Sequence, residues 1–232
     1  MPDSVSAGRL AAESFHASMS GGQGPVSLIL PADAAWDEGG ELSTPFAPGE
    51  PKKVAADTIS SVAAAIKAAE KPLILISGNA LSEDGLSEAS RLKAAGVRVM
   101  TDTFVWKQAR GAGRFNPDRM QYFAEGAMDD LEGTDLMVLA GTQMPVAFFA
   151  YPEKPSVLVP EGCELVSLGE RGIDVKAALS ALADELGASE TAPVAPRQSP
   201  DKPAGKLTPV TVGQSICRHM PEGALVSDDG VT

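Results

Sequence analysis

Cysteine, histidine, aromatic rings, positive charge and long apolar runs are what this 232-residue sequence has least of, and each shortage removes a class of function. Two cysteines, Cys163 and Cys217, in a chain of this length make no disulfide framework and read as reduced thiols. The two histidines, His16 and His219, lie far apart, and no Cys or His pair has ligand spacing, so no metal ligand is assigned. No run approaches the roughly 18–20 apolar residues that span a bilayer. The opening residues carry no basic stretch ahead of an apolar core, so no signal peptide is expected and the cytoplasm is the default. Lys and Arg number 19 against 31 Asp and Glu, a net charge of −12, which is the wrong sign for nucleic acid or an anionic membrane surface as partner. There is no Gly-x-Ser-x-Gly elbow and no P-loop. Aromatic residues make up 5%, so the helices are expected to pack closely through alanine.

What is present is an α/β pattern. Leu73 to Ile76 is a short unbroken apolar run, which suits a strand buried on both faces. Ser77-Gly78-Asn79 signals a turn. Ser82 can cap a helix with Leu86, Ala89 and Leu92 as its stripe and Gly96 as its stop, and Val97 to Met100 starts a second strand. This β-α-β unit calls for parallel strands. A helix over 56–70 precedes it, with Ile59, Val62, Ala63 and Ile66 inward. Further strands are expected at 135–141, 156–159 and 164–168, a short helix at 127–133 and a longer one at 173–186, with irregular loops at 104–120 and 142–154. The fold class is a Rossmann-like domain with a parallel sheet flanked by helices.

The flanks read differently. Residues 3–19 suit a helix and 25–31 a strand bracketed by prolines, too little to bury a core alone. Residues 41–55 form a linker rich in Gly, Pro and Glu, and 188–206 a second, Ala- and Pro-rich linker expected to be mobile. Thr208-Pro209 opens a helix with an N-cap and a proline at its first position, and Ala224-Leu225-Val226 starts a strand. The expected divisions are therefore 1–40, 41–55, 56–187, 188–206 and 207–232, with both ends reading as partial α/β stubs.

Several residues are candidates for chemistry, each with a plainer alternative. Gly78 and Gly141 follow apolar strands, where open α/β sheets bind ligands; the alternative is a tight turn. Arg110-Gly111-Ala112-Gly113-Arg114 can wrap a phosphate or can be a solvated basic loop that contacts another domain. Asp228 and Asp229 can hold a cation or cofactor, or sit in a solvated turn. Phe148, Phe149 and Tyr151 can form a subunit contact or a ligand wall, or be core under a loop. No catalytic residue is assigned.

Three segments in order resemble one family. Gly24-Pro25-Val26-Ser27-Leu28-Ile29-Leu30-Pro31-Ala32-Asp33 looks like the last strand of the pyrimidine-binding domain of thiamine-diphosphate-dependent enzymes. Lys71 to Ala80 looks like the opening of their central domain, and Leu207-Thr208-Pro209 through Ala224-Leu225-Val226-Ser227-Asp228-Asp229-Gly230 like the entry to their diphosphate-binding domain. Phe148-Phe149-Ala150-Tyr151-Pro152 with Val159-Pro160-Glu161-Gly162-Cys163 is similar to a run of the acetolactate synthase large-subunit-like group, which also resembles benzoylformate decarboxylase.

The resemblance implies a transferase or lyase that acts on a 2-keto acid, by carboligation or decarboxylation, as a homodimer or homotetramer. It implies thiamine diphosphate held through Mg2+, with Asp229, Gly230 and Thr232 as the cofactor contacts that can be carried over. Some members bind FAD near positions like Gly78 and Gly141. Thr142-Gln143-Met144-Pro145 stands where an arginine-rich FAD segment would follow, so FAD is disfavoured. The family's activating glutamate and its Gly-Asp-Gly metal motif have no counterpart here, so no turnover is expected. The rival reading is a Rossmann-like module that binds FAD, NAD or ADP without catalysis.

Overall fold

Leu73 to Ile76 carries no polar side chain because both its sides are covered, in a strand buried at every position. The structure, a computed structural model, describes residues 3–21, 23–150 and 152–228. The elements in order are α1 (Ala7–Met19), α2 (Ala32–Trp36), α3 (Ala56–Ala68), β1 (Pro72–Ile76), α4 (Glu83–Ala94), β2 (Arg98–Thr101), β3 (Asp118–Arg119), α5 (Ala124–Leu131), β4 (Leu136–Ala140), β5 (Glu164–Gly169), α6 (Val175–Glu185) and α7 (Pro209–His219). A 3-10 turn, Gly78–Leu81, joins β1 to α4.

The strands form one sheet in the order β3-β2-β1-β4-β5, and every neighbouring pair is parallel. Ile74 lies opposite Val99 on one side and Val138 on the other. Alternation then sorts the side chains. Ile74, Ile76, Val99 and Val138 join Ile59, Val62, Leu86, Leu92, Leu179 and Leu182 in the core under α3, α4 and α6. Leu73, Leu75, Met100 and Met137 face the other way, onto Ala127 and Leu131 of α5. Full burial of each such Leu or Ile stabilises the fold by about 1.5–3 kcal/mol. The central unit is thus as expected: Ser82 Oγ accepts from the Gly85 amide at 3.2 Å and starts α4, and α6 is capped by Asp174.

Local signals misled where no neighbour completed them. Residues 25–31 and 224–226 form no strand, since among the described residues no ladder lies beside them. The expected strand at 156–159 is reduced to one antiparallel bridge between Val146 and Val157. The turn at 32–36 is instead the helix α2, and the loop after β2 gives two residues, Asp118 and Arg119, to the sheet edge. The expected mobile linker is docked over its first part, where Ala188 and Ala192 are buried, the Ala192 amide bonds to Ser90 O, and Ala195 exchanges two bonds with Gly113 and Arg114. The capping box of α7 is present, with Thr208 and Thr211 satisfying each other's amides. No helix among the described residues is long and apolar enough to cross a membrane.

Candidate functional site at the carboxyl edge of the sheet

The order β3-β2-β1-β4-β5 has one reversal. The chain leaves β1 towards β2 and β3, then returns to the other side of β1 for β4 and β5. Loops diverge there, and open α/β sheets place ligands in the crevice at such a point. Ile76 and Ala140, the last residues of β1 and β4, are register partners. The next turns bring Gly78 and Gly141 to that reversal, with φ of 63° and 70°, a region that favours glycine. The Ser77 amide donates to Ala140 O at 3.2 Å, and the Gly141 amide to Gly169 O at 2.9 Å. Sequence pattern located this position correctly.

Its filling was not foreseen. Val175 of α6 presses onto both turns. A Cβ at position 141 would lie 2.5 Å from Val175 Cγ2, and one at 78 would lie 3.7 Å from it. Above Val175, Asn79 reaches the start of α6: its Nδ2 donates to Asp174 Oδ1 at 2.7 Å, and its Oδ1 accepts from the Lys176 amide at 3.0 Å. Asp174 Oδ1 also accepts from the Ala177 amide at 3.1 Å.

On the other side of β1, Asp102 after β2 meets Thr142 after β4, with Thr142 Oγ1 donating to Asp102 Oδ2 at 2.5 Å. Burial pushes the Asp102 carboxyl above its ordinary value, opposed by that hydrogen bond and by the charge of Arg171. Neither residue stood out in the sequence. The signal that could have found Asp102 is its place directly after an apolar strand, some two dozen residues beyond Gly78.

The rings of Phe104, Tyr122, Phe123, Phe148 and Phe149 gather from three loops at this edge. Tyr122 and Phe148 stack with centroids 5.4 Å apart, and Phe104 lies edge-on to Phe148 at 5.0 Å. Phe148 and Phe149 are about half exposed, at 48% and 49%, so they are not core under a loop. Tyr151 lies outside the described residues.

In the basic loop, Gly113 and Arg114 are engaged within the chain. Arg114 Nη2 is bonded to Glu83 Oε2 at 2.9 Å, its Nε is buried without a partner, and the Gly113 amide is bonded to Ala195 O at 2.9 Å. The loop is not a solvated one against another domain, since these bonds run to α4 and to the segment after α6. Among the described residues, no three His, Cys, Asp or Glu side chains are grouped to hold a metal ion. Asp229, Gly230 and Thr232, the residues matched to cofactor contacts, lie outside the described residues.

No protein-family model matches the chain. It is 40% identical over 224 residues to IlvX of Mycobacterium tuberculosis, a provisionally described acetolactate synthase large subunit; the match covers 95% of this chain and 42% of the relative. The chain thus spans less than half of the relative's length. Among solved structures it resembles a provisionally described thiamin diphosphate-dependent enzyme isolated from Mycobacterium smegmatis, with a TM-score of 0.55 and 18% identity over 87% of this chain and 41% of that one. It also resembles the thiamine diphosphate-dependent 4-hydroxybenzoylformate decarboxylase of Rhodococcus jostii RHA1, with a TM-score of 0.54 and 16% identity over 89% and 42% of the two chains. At those identities the structures speak for the fold. The likeness to the acetolactate synthase-like group read from the residues is borne out by the curated relative.

Proposed function

We propose that this chain is the central part of a thiamine-diphosphate-dependent enzyme of the acetolactate synthase-like group that acts on a 2-keto acid, by carboligation or decarboxylation, as a homo-oligomer. The observation that carries the proposal is the 40% identity over nearly the whole chain to an acetolactate synthase-like relative. The parallel sheet with its strand reversal between β1 and β4 supports it as a matter of fold.

Thiamine diphosphate supplies, when bound, the carbon nucleophile and electron sink that such chemistry needs. In the reading proposed here Asp229, Gly230 and Thr232 would hold its diphosphate, with Mg2+ as the bridging cation. The described residues act as a scaffold. Asp135 and Arg91 tie strands and helices into one unit, and the strap at 188–195 is docked on it through Ser90, Gly113 and Arg114. On this reading the chain by itself does not turn over substrate.

The test has two arms. The purified chain is given thiamine diphosphate, Mg2+ and either pyruvate or benzoylformate, and carbon dioxide is measured; release above background would sink the claim of inactivity. The Mycobacterium tuberculosis relative is titrated with thiamine diphosphate and Mg2+ in a calorimeter; absence of binding would sink the family function.

A further inference from the structure

The reversal between β1 and β4 is where an open α/β sheet takes a nucleotide, and a diphosphate there needs two things from the protein. It needs free amides at a helix N-terminus, and it needs backbone close enough to approach. At the start of α6 this chain supplies neither, although it has the two glycine turns.

The amides at the start of α6 are all in use. The Val175 amide donates to Ile173 O at 3.0 Å, the Lys176 amide to Asn79 Oδ1 at 3.0 Å, the Ala177 amide to Asp174 Oδ1 at 3.1 Å and the Ala178 amide to Asp174 O at 3.0 Å. Asn79 Nδ2 bonds to the same carboxylate oxygen at 2.7 Å, so side chains from β1's turn and from α6 close on each other. Asp174 puts a negative charge where a phosphate would need a positive end. The Lys176 ammonium does not offset it at the mouth; it lies 3.6 Å from Asp84.

The first turn of α4, the helix that follows Gly78, is acidic, and the Gly85 amide there is bonded to Ser82 Oγ at 3.2 Å. Ser82 caps it, and Glu83 and Asp84 occupy it. Room is missing as well: Val175 Cγ2 leaves no space even for a methyl group on Gly141, at 2.5 Å.

We propose that the Asn79–Asp174 clasp, seated over Val175, shuts this switch point against the diphosphate of a nucleotide, so that the domain binds neither FAD nor ADP there. Asn79 serves as an internal occupant, its amide oxygen taking the helix amide that a phosphate oxygen would take. This specificity device stands on the fold of residues 72–178 and does not depend on the function proposed above.

The full chain is titrated with FAD, followed by flavin fluorescence, and with ADP, followed by calorimetry and by amide exchange at Lys176 and Ala177. No saturable binding up to about 1 mM and unchanged exchange at both amides are expected. A dissociation constant below about 0.1 mM for either nucleotide, or protection of those amides by ADP, would overturn the proposal. The triple variant Asn79→Gly, Asp174→Ser and Val175→Ala opens the clasp and the space beneath it while leaving a hydroxyl to cap α6. It is expected to bind ADP at least about tenfold more tightly than the parent, and a folded triple variant as indifferent as the parent overturns the clasp's role. Asp174→Asn keeps size and hydrogen bonds and serves as the variant safest for folding. It is expected to stay without measurable ADP affinity, because Asn79 and Val175 still fill the position; measurable binding would show charge alone to be the barrier and overturn the clasp.

Discussion

The hydroxyl of Thr142 donates a 2.5 Å hydrogen bond to Asp102 Oδ2, which joins the loop after β4 to the loop after β2 across the end of β1. The bond holds a carboxyl whose pKa burial raises. A raised carboxyl pKa means the folded chain holds the proton more tightly than the unfolded chain does. The group therefore costs stability above its folded pKa, and the cost vanishes as pH falls through that value and below the unfolded one, ordinarily 3.8. Asp102→Asn removes the charge and keeps an oxygen for Thr142. Its melting temperature is expected to exceed the parent's at pH 7 by roughly 1–4 °C, with the gap closing below pH 4. A lower melting temperature at pH 7 would contradict the account.

Asp135 has the opposite sign. Its carboxylate accepts from the Glu70 amide at 2.6 Å and the Lys71 amide at 2.8 Å, tying the entry of β1 to the entry of β4. The Glu70 bond leads in lowering its pKa from the ordinary 3.8. The stability it contributes is present above that value and is lost as pH falls through the lowered one. Asp135→Ala is expected to unfold at lower urea than the parent at pH 7. The two midpoints should converge in acid, below the ordinary aspartate range; a gap that persists there would mean the amides and not the charge set the loss.

Gly141 separates turn strain from crowding. Alanine there meets both a φ of 70° and Val175 Cγ2 at 2.5 Å, for a cost of about 2–4 kcal/mol. Alanine at Gly78 meets only the turn, since Val175 lies at 3.7 Å, and should cost about 1–2 kcal/mol. Val175→Ala should relieve Gly141→Ala by more than about 0.5 kcal/mol in a double-mutant cycle read by urea unfolding. Equal costs at the two glycines would show that crowding is absent.

These residues also show what a sequence can carry. The core strands β1, β2 and β4 were legible because apolar runs and glycine stops are local signals, and so were the stripes of α3, α4 and α6. Gly78 and Gly141 were placed correctly for the same reason. Asn79, Asp174, Asp102 and Thr142 were not legible as pairs, since each bond joins residues 40 or 95 positions apart. The aromatic group was half seen: Phe148 and Phe149 were noted together, but Phe104 and Tyr122 come from other loops. Residues 25–31 read as a strand because an apolar run between prolines describes the chain alone, whereas a strand is a relation with a neighbour.

The segment 188–195 supplies the last case, because its composition argues for mobility and its bonds argue for a strap. Arg91 Nε donates to Ala188 O at 3.0 Å while its other nitrogens hold Glu88 at 2.7 Å and Asp184 at 2.5 Å. Further along, the Ala195 amide donates to Arg114 O and the Gly113 amide to Ala195 O, both at 2.9 Å. The strap thereby pins the loop after β2, which is also tied to the 3-10 turn after β1 by the Ala109 amide on Leu81 O at 2.8 Å. Ala195→Pro removes one donor and, through the fixed φ of proline, disturbs the pair. If the strap is docked in solution, exchange of the Gly113 amide should quicken by about tenfold or more, while that of Ala109 stays as in the parent. A Gly113 amide that already exchanges freely in the parent would mean that composition was the better guide. Arg91→Ala acts one step earlier: it strips Ala188 of its donor and leaves Glu88 and Asp184 facing each other. It should cost about 1–3 kcal/mol and quicken exchange of the Ala192 amide, which bonds to Ser90 O at 3.1 Å.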